Sequence, residues 1–434
     1  MSRVIGAQLV THGVGQGLFY SGEITSHPQK EELNFVYDCG VRDDGKGHPT
    51  LASCISRYKG TLPPRASGGK KQLDLLFISH LHDDHTAGLP ELLKDVETRY
   101  LFLPYLAEWE RALTLMQSSG GEAWFTSFLA DPVLFATTEL GVRYVVLLSR
   151  AEPKEGGPGR EDVPDRPTRE DPEASLDRAV SELADDPNPD RTLAGERALP
   201  RWQSLKLDER VLFKTDARSL RLPYWRFKFY SVPPNQGVLA QFRNDVLALL
   251  KDKSLAALLT SPAGIKSLES AYEKLSDSSK EVHWNINNTS LVTYHGPNDR
   301  AHGLAHTSCS GPKCCKFGSG PCLGGSFGDP FGTLLTGDLH FLQPDLYTKQ
   351  MTHFASEQRQ ISTMLMPHHG ARSSWNPRLL QDLPNLRQVI ASASVQSRYG
   401  HPSAGPIQDV LQAGRDYYWS KQQHDVRVDM YLRI

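Results

Sequence analysis

Six consecutive residues, His80-Leu81-His82-Asp83-Asp84-His85, carry three imidazoles and two carboxylates, and no other feature of this chain narrows its fold so far. They follow a short apolar run, Leu73 to Ile78, that breaks at Ser79-His80, and they precede Leu89, Leu92 and Leu93 at helical spacing. The pattern predicts a strand-to-helix loop, where functional groups are commonly mounted on a rigid scaffold. Leaving that many ionisable side chains together and unpaired is costly. Imidazole and carboxylate suit zinc, iron or manganese, and the density fits two divalent ions, which together can clamp the attacking and leaving oxygens of a displacement.

The rest of the chain supplies strand and helix candidates. Val4, Ala7 and Leu9, then Leu33, Phe35 and Tyr37, alternate with polar residues around glycine-rich turns and read as opening strands that end at Asp38-Cys39-Gly40. Ser290–Tyr294, Thr333–Thr336, Thr363–Met366, Gln388–Ala391 and the tail Val426–Ile434 are five further strand candidates. Trp225–Tyr230 alternates as a strand, and Val238–Leu275 has leucines at the intervals of one or two helices. Between Arg150 and about Pro200 aromatic and aliphatic residues nearly vanish, which predicts a solvated linker. No internal repeat is present, which excludes solenoids and propellers.

Charge and composition exclude some functions. With 48 basic and 50 acidic side chains the net charge is −2, so bulk positive charge does not hold nucleic acid here, although a local groove remains open. The stretch Arg201 to Lys228 interleaves Lys206, Arg210, Lys214, Arg226 and Lys228 with Trp202, Tyr224 and Trp225. It reads either as a stacking, cationic surface or as the charged outer face of an ordinary sheet. No run of about 18 apolar residues occurs and the start lacks a basic-then-apolar pattern, so neither a membrane span nor a secretory signal is expected, and a cytoplasmic location is. His302, His306, Cys309, Cys314, Cys315 and Cys322 crowd one glycine-rich loop. Their spacing leaves open a structural zinc, for which His306, Cys309, Cys314, Cys315 and Cys322 are the candidate ligands, or free thiols. Pro367-His368-His369-Gly370 follows an apolar strand, and two successive imidazoles before a glycine are poorly suited to packing.

The HxHxDH pattern of His80–His85 resembles the signature of the metallo-β-lactamase superfamily, with Asp38 in YDCG similar to its preceding aspartate motif. More narrowly, Val14-Gly15-Gln16-Gly17, Asn287–Val292, Leu334-Leu335-Thr336-Gly337-Asp338, Pro367–Gly370 and Tyr399-Gly400-His401-Pro402 occur in the order of the nuclease-like domain of the ComEC competence DNA-uptake family. This chain has His12-Gly13 where those relatives usually carry aspartate before VGQG. The resemblance implies an α+β fold, an αββα sandwich of two mostly antiparallel sheets with a large, partly helical insertion. Its expected units are residues 1–105 as the first half of the core, 106–282 as the insertion with the charged linker at about 150–200, and 283–434 as the second half with the Cys/His-rich loop 302–322.

Carried over residue by residue, the resemblance puts His80 and His82 on one metal and Asp84, His85 and His401 on the other, with Asp338 bridging. Asn287 or Asn288 stands where many relatives have a third-motif histidine. His368 or His369 would support the scissile phosphate or protonate the leaving oxygen with a pKa near the ordinary value of about 6.5. Asp38 would orient the histidine loop by accepting a ligand's other N–H. The implied function is a metal-dependent hydrolase, a phosphodiesterase or nuclease on DNA or RNA, using two zinc or manganese ions and a further structural zinc. Nucleic acid is its implied substrate, with a protein partner for the insertion. The alternatives are hydrolysis of a lactone, thioester or β-lactam, or a non-catalytic metal-containing binding module.

Overall fold

The computed structural model describes residues 3–28, 31–42, 49–64, 69–118, 122–149, 172–185, 200–215, 219–232, 236–251, 253–278, 286–298, 301–310, 316–317 and 325–434. Strands β1 (Val4–Thr11), β2 (Phe19–His27) and β3 (Glu31–Cys39) form an antiparallel meander. Strands β4 (Lys71–Phe77), β5 (Val96–Pro104), β6 (Tyr144–Ser149) and β7 (Val211–Thr215) continue it in parallel. Strands β8 (Leu220–Arg221), β9 (Trp225–Tyr230) and β10 (Val292–Pro297) begin a second sheet. The remaining strands are β11 (His302–Cys309), β12 (Lys316–Phe317), β13 (Gly325–Phe327), β14 (Gly332–Leu335), β15 (Ile361–Leu365), β16 (Gln388–Ser392), β17 (Asp416–Ser420) and β18 (Val426–Arg433). The ten-stranded sheet runs β13-β11-β18-β1-β2-β3-β4-β5-β6-β7 and the eight-stranded one β12-β17-β16-β15-β14-β10-β9-β8.

Both sheets are mixed, where the sequence suggested mostly antiparallel ones. Helices such as Pro49–Thr61 between β3 and β4, and Pro344–His353 between β14 and β15, return the chain to the same end of the sheet, and a parallel neighbour needs such a crossover. Strand alternation then sorts the layers. Phe35 and Tyr37, Leu75 and Phe77, and Phe102 face Phe227, Phe229 and Leu291 in a core between the sheets. Their neighbours Val36, Leu76, Leu101 and Leu103 point the other way, onto Leu51, Ile55, Phe125 and Phe128 of the outer helices. The second sheet repeats the arrangement, with Met364, Val389 and Tyr417 covered by Tyr347, Met351 and Val410. This is the αββα sandwich that the resemblance implied, with side chains sorted onto the two faces of each sheet by the strand period.

The segment between β5 and β10 contributes to both layers and adds a helical body of its own. Helices Glu108–Gln117, Gln236–Leu249, Leu255–Leu259 and Pro262–Ser278 share an apolar cluster around Trp109, Leu113, Phe242, Val246 and Leu268. The carboxylate of Glu108 ties it together by accepting the Leu255 N–H at 2.8 Å. Within the acidic stretch expected to be a linker, 150–171 and 186–199 lie outside the described residues. Between them a helix, Pro172–Ser181, buries Leu176, Ala179 and Val180, with Leu183 beyond it, in the inter-sheet core. Those four apolar positions keep helical spacing, and this local signal outweighs the polar composition around it. Among the described residues no helix is long and apolar enough to cross a membrane.

One polar group is trapped between the sheets. His295 on β10 touches the rings of Tyr20, Phe35, Trp225 and Phe227 at centroid distances of 5.1 to 5.9 Å, and its Nε2 shares a hydrogen bond with the Tyr20 hydroxyl at 3.0 Å. Burial lowers its pKa to about 3. As pH falls below about 6.5 the unfolded chain takes a proton here that the folded chain refuses, so the unfolded state is favoured and stability is lost as acid is added. From pH 7.5 to 5 that loss is about 2 kcal/mol for this one group. Denaturant melts at the two pH values are expected to show a smaller acid loss in His295→Phe than in wild type; equal losses would put the acid sensitivity on other groups.

Candidate metal centre

The apolar run of β4 delivers Ser79 and His80 to the strand end, where the chain makes a single turn, Asp83–Thr86. The turn is clamped from β3. Asp38, fully buried and in the left-handed region at φ 57°, accepts the Ser79 N–H and Ser79 hydroxyl at 2.6 Å each and the His85 Nδ1–H at 2.7 Å. Backbone approach explains the flanking glycines. A Cβ on Gly40 would lie 2.5 Å from His85 N, and one on Gly17 would lie 2.4 Å from the Gly40 carbonyl oxygen and 2.9 Å from that of Asp84. The VGQG and YDCG segments therefore serve as a seat on which the histidine turn rests.

Four imidazole nitrogens converge above this seat. His80, His82, Asp84 on one side and Asp84, His85, Asp338, His369 on the other form two groups whose ligating atoms lie within 4.8 Å of one another and which share Asp84. His85 Nε2 is 3.3 Å from Asp338 Oδ1, and His369 Nε2 is 3.5 Å from Asp84 Oδ2 and 3.7 Å from Asp338 Oδ1. In three of the four the other ring nitrogen is anchored: His85 Nδ1 on Asp38, His369 Nδ1 donating to the Ser392 carbonyl at 2.9 Å, and His80 Nδ1 at 3.1 Å from the Ser79 hydroxyl. The Nε2 atoms of His80, His82, His85 and His369 are buried without a hydrogen-bond partner. Orphaned polar atoms are rare in interiors, and four of them aimed at two carboxylates make a donor set that fits divalent cations.

Electrostatics agree. Burial, reinforced by the neighbouring imidazoles of His85 and His82, drives His80 well below its ordinary pKa, and burial lowers His82 to about 4, so both offer lone pairs at neutral pH. Burial opposes ionisation of Asp338, yet His368, His369 and His85 outweigh it and hold the carboxyl well below the usual range. Asp84 is lowered in the same way against burial, chiefly by the His369 imidazole 3.5 Å away and by His85. Burial also opposes a proton on His85 and His369, but the carboxylates around them win and raise both. A cation in their midst competes with those protons.

The structure separates residues that the sequence could only group. His369 joins Asp84, His85 and Asp338, in the place that the motif carry-over gave to His401. The reason is local: His368, His369 and Gly370 are three successive left-handed residues, φ 48°, 56° and 84°, which swing His369 inward. His368 stays in the open cleft, its Nδ1 at 3.1 Å from the Ser374 hydroxyl and its Nε2 at 3.6 Å from Asp338 Oδ2. His401 lies behind it, ring centroids 5.5 Å apart, with its pKa lowered to about 4 by burial and the two neighbouring imidazoles. The ordinary imidazole pKa expected for the pair is not met: burial lowers His368 and carboxylates raise His369. Asn287 occupies the third-motif region and donates from Nδ2 to Asp338 Oδ2 at 3.4 Å.

These groups floor a cleft of about 780 Å³, which Arg42, Tyr399 and His340 also line, together with Met116 and Tyr272 from the insertion helices. The sequence reading passed over His340, although it stands two residues after Asp338 and its ring stacks on His368 at 5.3 Å. Of the cysteine-loop candidates, Cys314, Cys315 and Cys322 lie outside the described residues; His306 and Cys309 lie on β11, the former exposed and the latter half-buried. The basic stretch that ends in β9 leaves Lys206 exposed but turns inward on β9 itself. Trp202 and Trp225 are buried, and Arg226 and Lys228 pair with the buried Glu357 at 3.3 and 2.9 Å.

Residues 29–190 match the sequence model of the Metallo-beta-lactamase superfamily. No curated protein matches the chain. Among solved structures, Zn(2+)-bound PqqB from Methylobacterium extorquens aligns at 9% identity over 96% of this chain and 99% of that one, with a TM-score of 0.39. The metallo-beta-lactamase fold protein YhfI from Bacillus subtilis aligns at 7% identity over 97% and 98%, with a TM-score of 0.34. The family match begins just before β3 and runs through the histidine turn, so this segment of the two-layer sandwich is similar to the metallo-beta-lactamase superfamily.

Proposed function

We propose that this protein is a metal-dependent phosphodiesterase acting on DNA or RNA. The observation that carries the reading is His368, an imidazole at the cleft floor, 3.6 Å from Asp338, that belongs to neither ligand group. Hydrolysis of a lactone or lactam needs chiefly an activated water and a polarised carbonyl, whereas a phosphodiester must also release a poorly leaving alkoxide. The order of the VGQG, TGD, PHHG and YGHP motifs, similar to that of the ComEC nuclease-like domain, supports the same chemistry.

His80, His82 and Asp84 would hold one ion, and Asp84, His85, His369 and Asp338 the second. Divalent ions such as zinc or manganese supply Lewis acidity there and make water a nucleophile near neutral pH. The chain does the rest. Asp38 keeps His85 Nε2 turned into the site, and the Ser392 carbonyl does the same for His369. The Ser374 hydroxyl, 3.1 Å from Nδ1 of His368, fixes this ring, and Nε2 is the atom that would pass a proton to the leaving oxygen. Burial lowers the pKa of this imidazole.

Two variants divide the roles. His368→Ala is expected to keep its metal and to lose about 10²–10⁴-fold in cleavage of oligonucleotides, the range for a lost general acid, while a nitrophenyl phosphodiester, whose leaving group needs no proton, suffers far less. Equal losses on both substrates would assign His368 to positioning. His369→Ala and Asp338→Asn are expected to lower the bound metal, read by elemental analysis, along with all turnover. Wild-type metal content in either would remove that residue from the ligand set. Absence of phosphodiester cleavage by the metal-loaded protein, beside clear lactone or thioester hydrolysis, would overturn the reading.

A further inference from the structure

The cleft has an unusual mouth. Tyr399 is 41% exposed and lines the cleft, with the Arg42 guanidinium over its ring at 5.1 Å and that of Arg398 at 5.0 Å. The ring also stacks on His401, at 6.1 Å and 23°. The tyrosine is held out by a tight turn: the Gly400 N–H donates to the Ser397 carbonyl at 3.1 Å, the Tyr399 N–H donates to the Ser397 hydroxyl at 3.3 Å, and Gly400 takes φ 67°. The Ser403 N–H, donating to the Gly370 carbonyl at 3.0 Å, ties this turn to the PHHG turn that carries His368. An exposed aromatic flanked by guanidinium planes, fixed to the backbone of the catalytic histidine, is a rigid stacking surface next to the reacting atoms.

Charge along the cleft limits what would stack there. Arg42 is the one Lys or Arg among the described lining residues, beside Asp83, Asp84 and Asp338. It lines the cleft together with Tyr399, His82 and Asp83. A duplex or a long strand is gripped through many phosphates by a track of cations, and the described cleft lacks one. The volume of about 780 Å³ suits a ligand of one or a few nucleotides.

We propose that Tyr399 with Arg42 and Arg398 forms a base-stacking subsite beside the metal centre, and that the substrate is a short single strand, held by one base on Tyr399 and the adjoining phosphate on Arg42. The proposal rests on the phosphodiesterase reading for its substrate class, but its test does not depend on turnover.

The probe is a tetradeoxynucleotide containing 2-aminopurine, whose fluorescence is quenched by stacking, with phosphorothioate linkages that resist cleavage, added to the metal-loaded full-length protein. Quenching is expected with wild type and with Tyr399→Phe. In Tyr399→Ala the quench is expected to disappear and binding to weaken about 5- to 150-fold, the range for one lost base–aromatic stack. On cleavable tetranucleotide KM is expected to rise by the same factor with kcat within about threefold, since Tyr399 binds and does not react. A blunt duplex at equal nucleotide concentration is expected not to displace the probe. No quench with wild type, unchanged binding in Tyr399→Ala, or a fall in kcat at constant KM would each overturn the subsite, and displacement by duplex would overturn the short single strand. Quenching by wild type together with no cleavage of any phosphodiester would leave the stacking subsite standing and overturn the phosphodiesterase reading instead.

Discussion

Everything at the candidate centre depends on one buried carboxylate. Asp38 has no exposure, and burial raises its pKa against the opposing pull of His85 and Ser79. Its three hydrogen bonds join the end of β3 to the start of the histidine turn, where β3 and β4 run in parallel. Removing such an acceptor would leave buried donors unpaired, a cost of order 1–3 kcal/mol for each. The same carboxylate chooses which nitrogen of His85 faces the site, so fold and ligand geometry rest on a single interaction.

The centre is held together by charges that oppose one another. Imidazoles lower the pKa of the buried Asp84 and Asp338, and carboxylates raise that of His85 and His369. That balance suits a cation. The unpartnered Nε2 atoms of His80 and His82 extend it to a second group through the shared Asp84. His368 shares in this balance through Asp338, 3.6 Å away, while its ring stays partly open to the cleft.

The helical insertion gives the cleft part of its wall. Met116 and Tyr272 line it from helices that pack on each other through Trp109, Phe242 and Leu268, away from the sandwich core. A fold that hosts many reactions on one ligand loop gains its selectivity from such added walls. The apparent cationic strip before β9 has no share in it, since Arg226 and Lys228 neutralise Glu357 inside the protein.

The sequence by itself determined the sandwich and the core of the site. Period-two alternation at Phe35-Val36-Tyr37 and Leu75-Leu76-Phe77 sorts side chains onto two faces, and six residues dense in imidazole and carboxylate have few uses other than cations. Short-range patterns of this kind are legible because the strand period and the loop length act locally. Tertiary structure alone decided which distant groups complete the centre. His369 enters and His401 stays behind because three left-handed residues turn the chain at 368–370, a backbone conformation that composition does not announce. Arg226 and Lys228 turn inward because Glu357, about 130 residues later, meets them there, and Tyr399 becomes the mouth of the cleft because a turn more than 300 residues from the histidine loop folds over it. Such contacts depend on where whole layers meet, and no local periodicity encodes that.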